Sequence, residues 1–272
     1  MLGSPIAHSI SPTLHRAAYA ALGLTGWRYD AIEVDEATLP AFLAGLDDDW
    51  AGLSLTMPLK RAVRPHLSSI SPLAAAVGAV NTVLVRPGGL AGENTDVHGI
   101  VAAVRESGLE RVDLGHLIGA GGTACAAVAA LRDLGADRCV VHLRDPARAL
   151  DLLATADRVG IAVELTGLAD ADLHRAADAD LVISTVPGPA ADSLAGSLHP
   201  GRPGRMLLDV VYHPWPTVLA RTWAEAGGTV VGGLAMLLHQ AAEQVRLMTG
   251  AEPPLAQMRT AGDLALAGRT TR

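Results

Sequence analysis

The sequence predicts an α/β protein in two domains, and three observations carry that reading. The chain has 272 residues, half of them hydrophobic and 18% charged, which is apolar material for one large core or two ordinary ones. Short apolar runs alternate with helix-period segments through the N-terminal third. Residues 113–143 then read as strand, glycine turn, helix and strand, the order of a βαβ unit.

Taken in order, Ser11-Pro12 opens the first helix, with serine as cap and proline at the first position. That helix covers 13–22 and turns Leu14, Ala17, Ala18 and Ala21 inward. A strand at 27–34, a helix at 36–45 and a strand at 51–56 follow, the last ended by a Met57-Pro58 turn. Residues 71–76 make another helix. Strands at 80–85 and 90–92 flank Arg86-Pro87-Gly88-Gly89, a hairpin signal. If a strand precedes Gly3-Ser4-Pro5, only Met1-Leu2 of it is present.

A helix over 97–107 leads into the second domain. Strand 113–118, turn 119–122, helix 123–134 and strand 138–143 are followed by strands at 162–165, 180–185, 206–211 and 229–231. Helical or loop stretches separate them, so the reading is a Rossmann-like open parallel sheet with helices on both faces. The chain closes with helices at 234–248 and 255–266. The expected domains are 1–97 plus 236–272, and 98–235, with a cleft between them.

A formal charge of −7 and the absence of any Lys/Arg run argue against a nucleic-acid partner. The two cysteines, Cys125 and Cys139, are too few for a disulfide framework and lack metal-ligand spacing. They read as small core residues, and no metal is expected. No secretory leader opens the chain, and the uncharged stretches 65–85 and 114–131 are interrupted by polar residues, glycines or proline. A soluble cytoplasmic protein, monomer or homodimer, is the expectation. One count stands apart: of 21 basic residues 20 are arginine, and Lys60 is the only lysine.

Gly119-Ala120-Gly121-Gly122-Thr123 follows an apolar strand and opens a helix. Glycines there permit a tight turn and let a pyrophosphate approach backbone N–H groups at a helix N-terminus. The next strand ends before Arg144, with Arg148 one turn on. Guanidinium groups match a ribose 2′-phosphate, which favours NADP. Asp145 is equally suited to a free 2′-hydroxyl, so NAD stays open.

The remaining polar motifs are GSPIAHSISP, LTMPLK, VNT, GENTD, DVVYHPWPT at 209–217 and GGLAMLLHQ at 232–240. Singly, each serine or threonine reads as a cap and each asparagine as a turn residue. In this order, and together with IGAGGTA, they resemble the shikimate dehydrogenase family over nearly the whole chain.

The resemblance implies NADPH-dependent, reversible reduction of 3-dehydroshikimate to shikimate in aromatic amino-acid biosynthesis. It implies that Ser9, Ser11 and Thr56 hydrogen-bond the substrate's carboxylate and hydroxyls. Lys60, Asn81, Asp96 and Gln240 then gather at the ring hydroxyls, with Tyr212 and Gln244 as supporting contacts. It makes Lys60 and Asp96 the catalytic dyad and places Gly233 with the cofactor. The chemistry suits the pair: an ammonium can give a proton to the reduced ketone oxygen and take it back, whereas a guanidinium cannot. Asp96 is expected to orient the amine.

Two motifs depart from the family pattern. Ser54-Leu55 stands where Asn-Val is usual, and Leu143-Arg144-Asp145 replaces Asn-Arg-Thr or Asn-Arg-Ser. The alternatives are an NAD-preferring quinate/shikimate dehydrogenase and a non-catalytic paralogue that binds nucleotide and metabolite. The resemblance assigns no catalysis to His8 or His98. Trp215 and Trp223 read as packing residues, and His213 as a loop residue.

Overall fold

The computed structural model describes residues 1–270, in two compact units. The first comprises Met1–Gly99 and the C-terminal segment from Leu237; the second is Ile100–Met236.

The first unit begins with β1 (Leu2–Gly3), α1 (Ser11–Ala21), β2 (Ile32–Glu33), α2 (Leu39–Ala44) and β3 (Gly52–Ser54). It continues with α3 (Leu59–Ala62), β4 (Ser69–Ile70), α4 (Pro72–Val77), β5 (Thr82–Arg86) and β6 (Gly89–Glu93), and then α5 (Asp96–Glu106) begins. A four-stranded mixed sheet has the order β3-β5-β6-β4, and β1 pairs β2 in parallel beside it. Leu2 also bridges Leu55, which ties the start of the chain to the end of β3. Leu2, Leu39, Leu53, Leu55, Leu59, Val63, Val80 and Val83 form the core beneath.

Several local expectations need correction. Ser11 does not cap α1 but is its first residue, with Pro12 beside it; Ser9 Oγ accepts the Ser11 N–H at 3.2 Å. The strand expected at 27–34 contracts to Ile32–Glu33, because β1 offers only two residues to pair with. The helix expected at 36–45 contracts to Leu39–Ala44, since Asp35 and Thr38 form a hydrogen-bonded turn ahead of it (Thr38 Oγ1 to Asp35 Oδ1, 2.7 Å). Strand β4 and the four-residue α3 had no sequence signal of their own.

In the second unit the elements are β7 (Leu114–Ile118), α6 (Gly122–Asp133), β8 (Arg138–His142), α7 (Leu150–Val159), β9 (Ala162–Thr166) and α8 (Asp170–His174). Then come β10 (Leu181–Ser184), α9 (Gly188–Asp192), β11 (Met206–Asp209), α10 (Val218–Glu225) and β12 (Thr229–Gly232). All six strands are parallel, in the order β12-β11-β10-β7-β8-β9. That is a Rossmann-like sheet whose order reverses between β7 and β10. Gly115 lies under Leu131, which lets α6 pack closely on β7. Trp223 is fully buried and donates its indole N–H to Arg205 O, as a packing residue should.

Both cysteines are buried, and desolvation pushes the Cys139 thiol up to about 12. A buried pair went unanticipated: His116 Nδ1 lies 2.8 Å from His142 Nε2 across β7 and β8. Burial, then the neighbouring imidazole, holds His116 down to about 3, so it is neutral.

The chain returns to the first unit within α11 (Gly233–Thr249) and ends in α12 (Leu255–Thr270), which packs on α1. Among the described residues no helix is long and apolar enough to cross a membrane, and no cluster of His, Cys, Asp or Glu is placed to hold a metal.

Candidate active site

The first unit brings a lysine and an aspartate together from separate motifs. Leu59 is fully buried and anchors α3, while Val80 N donates to the Lys60 carbonyl at 2.8 Å. The Lys60 side chain is therefore launched from a fixed point. Its Nζ donates to Asp96 Oδ2 at 2.5 Å, with side-chain exposures of 20% and 3%. An ion pair this buried survives only if its remaining lone pairs are satisfied. Asp96 meets that condition at the start of α5, where the helix dipole favours negative charge. Asn94 Oδ1 accepts from the Asp96 and Val97 N–H groups at 3.0 and 3.3 Å, capping the helix. Asn81 Nδ2 donates to Asp96 Oδ1 at 2.8 Å.

Asn81 is itself held. Its Oδ1 accepts from Thr95 N at 2.8 Å and from Thr82 Oγ1 at 2.9 Å, which settles which end of the amide faces Asp96. Gln240, on α11, approaches the same Asn81 amide at 3.4 Å. Gln244, one turn further, lies deeper and donates to Thr82 Oγ1 at 2.9 Å while accepting from Ser54 Oγ at 2.9 Å.

The second unit offers a different kind of site. Gly119 leaves β7 with φ of 105°, a left-handed conformation open to glycine, and a Cβ there would lie 2.6 Å from Thr185 Oγ1. Thr185, at the end of the neighbouring β10, donates its hydroxyl to Ile118 O at 2.8 Å. The turn thus sits at the carboxyl edge where the strand order reverses, the usual ligand position in such sheets. Helix α6 starts from Gly121 with no side-chain cap and no acidic residue in its first turn. A Cβ at Gly121 or Gly122 would meet nothing within 4 Å, so these glycines leave open space over uncapped N–H groups. Arg144 and Arg148 are exposed after β8. Asp145 Oδ1 instead accepts Ala147 N at 3.0 Å, capping the turn that follows.

The family model described as the shikimate dehydrogenase substrate binding domain matches residues 1–83, and the model for the shikimate 5'-dehydrogenase C-terminal domain matches 233–261. A Moorella thermoacetica protein named shikimate dehydrogenase (NADP(+)) is 36% identical over 95% of this chain and 90% of its own. The chain belongs to the shikimate dehydrogenase family. The solved shikimate dehydrogenase of Mycobacterium tuberculosis is 40% identical, with a TM-score of 0.86 over 97% of each chain. The Thermus thermophilus shikimate 5-dehydrogenase, solved with NADP(H) and shikimate, is 35% identical, with a TM-score of 0.85 over 97% of this chain and 98% of its own.

Of the residues that the likeness to shikimate dehydrogenases singles out, Lys60, Asn81, Asp96 and Gln240 form one hydrogen-bonded group. Ser9 and Ser11 lie on the turn into α1, where Ser9 Oγ also donates to Met1 Sδ at 2.9 Å. Thr56 is half-buried at the end of the β3 segment, its carbonyl accepting Leu59 N at 2.8 Å. Tyr212 lies in the second unit, in a half-buried loop after β11. Buried Asp209 closes that loop by accepting from Thr217 Oγ1 at 2.7 Å and Val211 N at 3.2 Å. Gly233 packs against the Val210 and Val211 backbone, which leaves no room for a Cβ.

Sequence reasoning missed Tyr29 and His15. Tyr29 donates to Ser54 Oγ at 2.7 Å. His15 stacks on Tyr29 with centroids 3.8 Å apart and donates Nδ1 to Ser11 O at 2.9 Å. Burial holds His15 down to about 3, so it is neutral. An isolated histidine on an apolar helix and a tyrosine in an expected strand gave no signal of either contact.

Proposed function

We propose that this chain reversibly reduces 3-dehydroshikimate to shikimate with NADPH, the first unit holding the substrate and the second the cofactor. The observation that carries the reading is the part-buried Lys60–Asp96 pair, joined from two motifs in a chain of this family. NADPH, when bound, supplies the hydride that reaches the ketone carbon. Lys60 donates a proton to the ketone oxygen as it becomes a hydroxyl, and recovers it in the reverse direction. Asp96 holds the ammonium in one orientation, and Asn81 holds Asp96. Ser9, Ser11 and Thr56 take the substrate carboxylate and hydroxyls, with Gln240, Gln244 and Tyr212 as further contacts.

The residues present fit NADP. The uncapped start of α6, with Gly119, Ala120, Gly121, Gly122 and Thr123, suits a pyrophosphate, and Gly233 packs beside β11 in the same unit. Exposed Arg144 and Arg148 suit a 2′-phosphate. One oxygen of Asp145, Oδ1, is engaged in capping the turn that follows. We assign the reaction to the cytoplasm, with the chain acting as a monomer or homodimer.

Initial-rate measurements with shikimate and quinate, each against NADP and NAD, test the assignment. Shikimate with NADP should give the highest kcat/KM. A higher value for quinate with NAD would overturn it.

A further inference from the structure

We propose that Tyr29 and Ser54 are positioning residues for the Lys60–Asp96 pair, acting through Gln244, Thr82 and Asn81; this rests on the proposed reductase reading. One unbroken row of hydrogen bonds joins them. Tyr29 donates to Ser54 at 2.7 Å, Ser54 to Gln244 Oε1 at 2.9 Å, and Gln244 Nε2 to Thr82 Oγ1 at 2.9 Å. Thr82 then donates to Asn81 Oδ1 at 2.9 Å, and Asn81 Nδ2 to Asp96 Oδ1 at 2.8 Å.

Two backbone groups fix the direction of this row. Thr95 N–H can only donate, so the atom of Asn81 that it meets at 2.8 Å must be the carbonyl oxygen. The Asn81 carbonyl can only accept, so the atom of Gln244 that faces it at 3.4 Å must be the amide nitrogen. Gln244 therefore presents Oε1 to Ser54. The Ser54 proton is committed to Gln244, and its lone pair receives the Tyr29 proton. The Ser54 hydroxyl cannot turn round without losing its bond to Gln244 Oε1 and setting its own proton against that of Tyr29.

Burial makes the row rigid. Tyr29, Ser54, Asn81, Thr82, Asp96 and Gln244 are all buried, and His15 stacks on the Tyr29 ring. Desolvation holds the Tyr29 phenol well above its ordinary range, so it remains a donor at working pH. The row spans the 27–31 segment, β3, α11, β5 and the start of α5, and it ends on the carboxylate that orients Lys60. Displacing the Ser54 end of the row shifts Asn81 and Asp96 relative to Lys60.

The test compares wild type with Ser54→Ala, Ser54→Thr and Tyr29→Phe in shikimate oxidation with NADP. It measures kcat, both KM values, the solvent deuterium isotope effect on kcat, and the thermal midpoint. Ser54→Ala should lower kcat about tenfold, a larger change than it makes in the shikimate KM through Gln244. Its solvent isotope effect should rise as proton transfer becomes slower, and Ser54→Thr, which keeps the hydroxyl, should restore both. Tyr29→Phe, nearly isosteric, should lower kcat about threefold, and it decides the matter if Ser54→Ala does not fold. Wild-type kcat in Ser54→Ala or Tyr29→Phe overturns the proposal, as does equal impairment in Ser54→Thr and Ser54→Ala. A wild-type protein without shikimate turnover overturns the reductase reading instead, so the two failures are distinct.

Discussion

In the second unit, the groups we propose for the nucleotide phosphates come from one strand–turn–helix–strand segment, β7 to β8, with Arg144 and Arg148 just beyond. In the first unit, Lys60, Asn81, Asp96 and Gln240 come from separate elements, and the supporting Ser54–Gln244 contact joins residues 190 apart. The difference is one of chemistry. A pyrophosphate needs backbone N–H groups, which a glycine turn at a helix N-terminus presents locally. Proton transfer at a hydroxyl needs an ammonium, a carboxylate and an amide in fixed orientation, and no short stretch of chain can hold all three on one point.

Three variants sharpen that contrast within the second unit. Replacing Arg144 and Arg148 together by alanine should raise the KM for NADP by about tenfold or more and leave that for NAD within about twofold, measured by initial rates. Equal losses for both cofactors would mean that these arginines do not read the 2′-phosphate. The smaller effect separates two kinds of glycine. Gly121→Ala should weaken NADP several-fold by titration with little change in thermal midpoint, because its φ is −80° and a Cβ meets nothing within 4 Å. Gly119→Ala should instead destabilise the fold by about 1–3 kcal/mol, since its φ of 105° and its closeness to Thr185 both exclude a side chain. If both variants lose only stability, the turn serves packing alone.

The contrast also explains what the sequence made legible. The βαβ segment was readable because strand, glycine turn, helix and strand follow one another with their own local signals, and strands β10, β11 and β12 extended it by apolar runs. Lys60 was visible as the only lysine, and the ordered motifs supplied its partner Asp96. Helix α3, which carries Lys60, was missed because four residues show no periodicity. Tyr29 escaped because its partner Ser54 lies 25 residues away and nothing local marks the contact. The His116–His142 pair was hidden for a related reason: in each strand a single histidine interrupts an apolar run, and only the register shows that they meet.

The central claim is that Lys60 gives up and recovers a proton while Asp96 holds it in place. Steady-state turnover of Lys60→Arg, with shikimate and NADP binding measured alongside, tests it most directly. Arginine keeps the positive charge and the ability to pair with Asp96 but cannot release its proton, so kcat should fall by about 10²-fold or more while both ligands still bind. Turnover near the wild-type value in a folded Lys60→Arg protein would contradict the account.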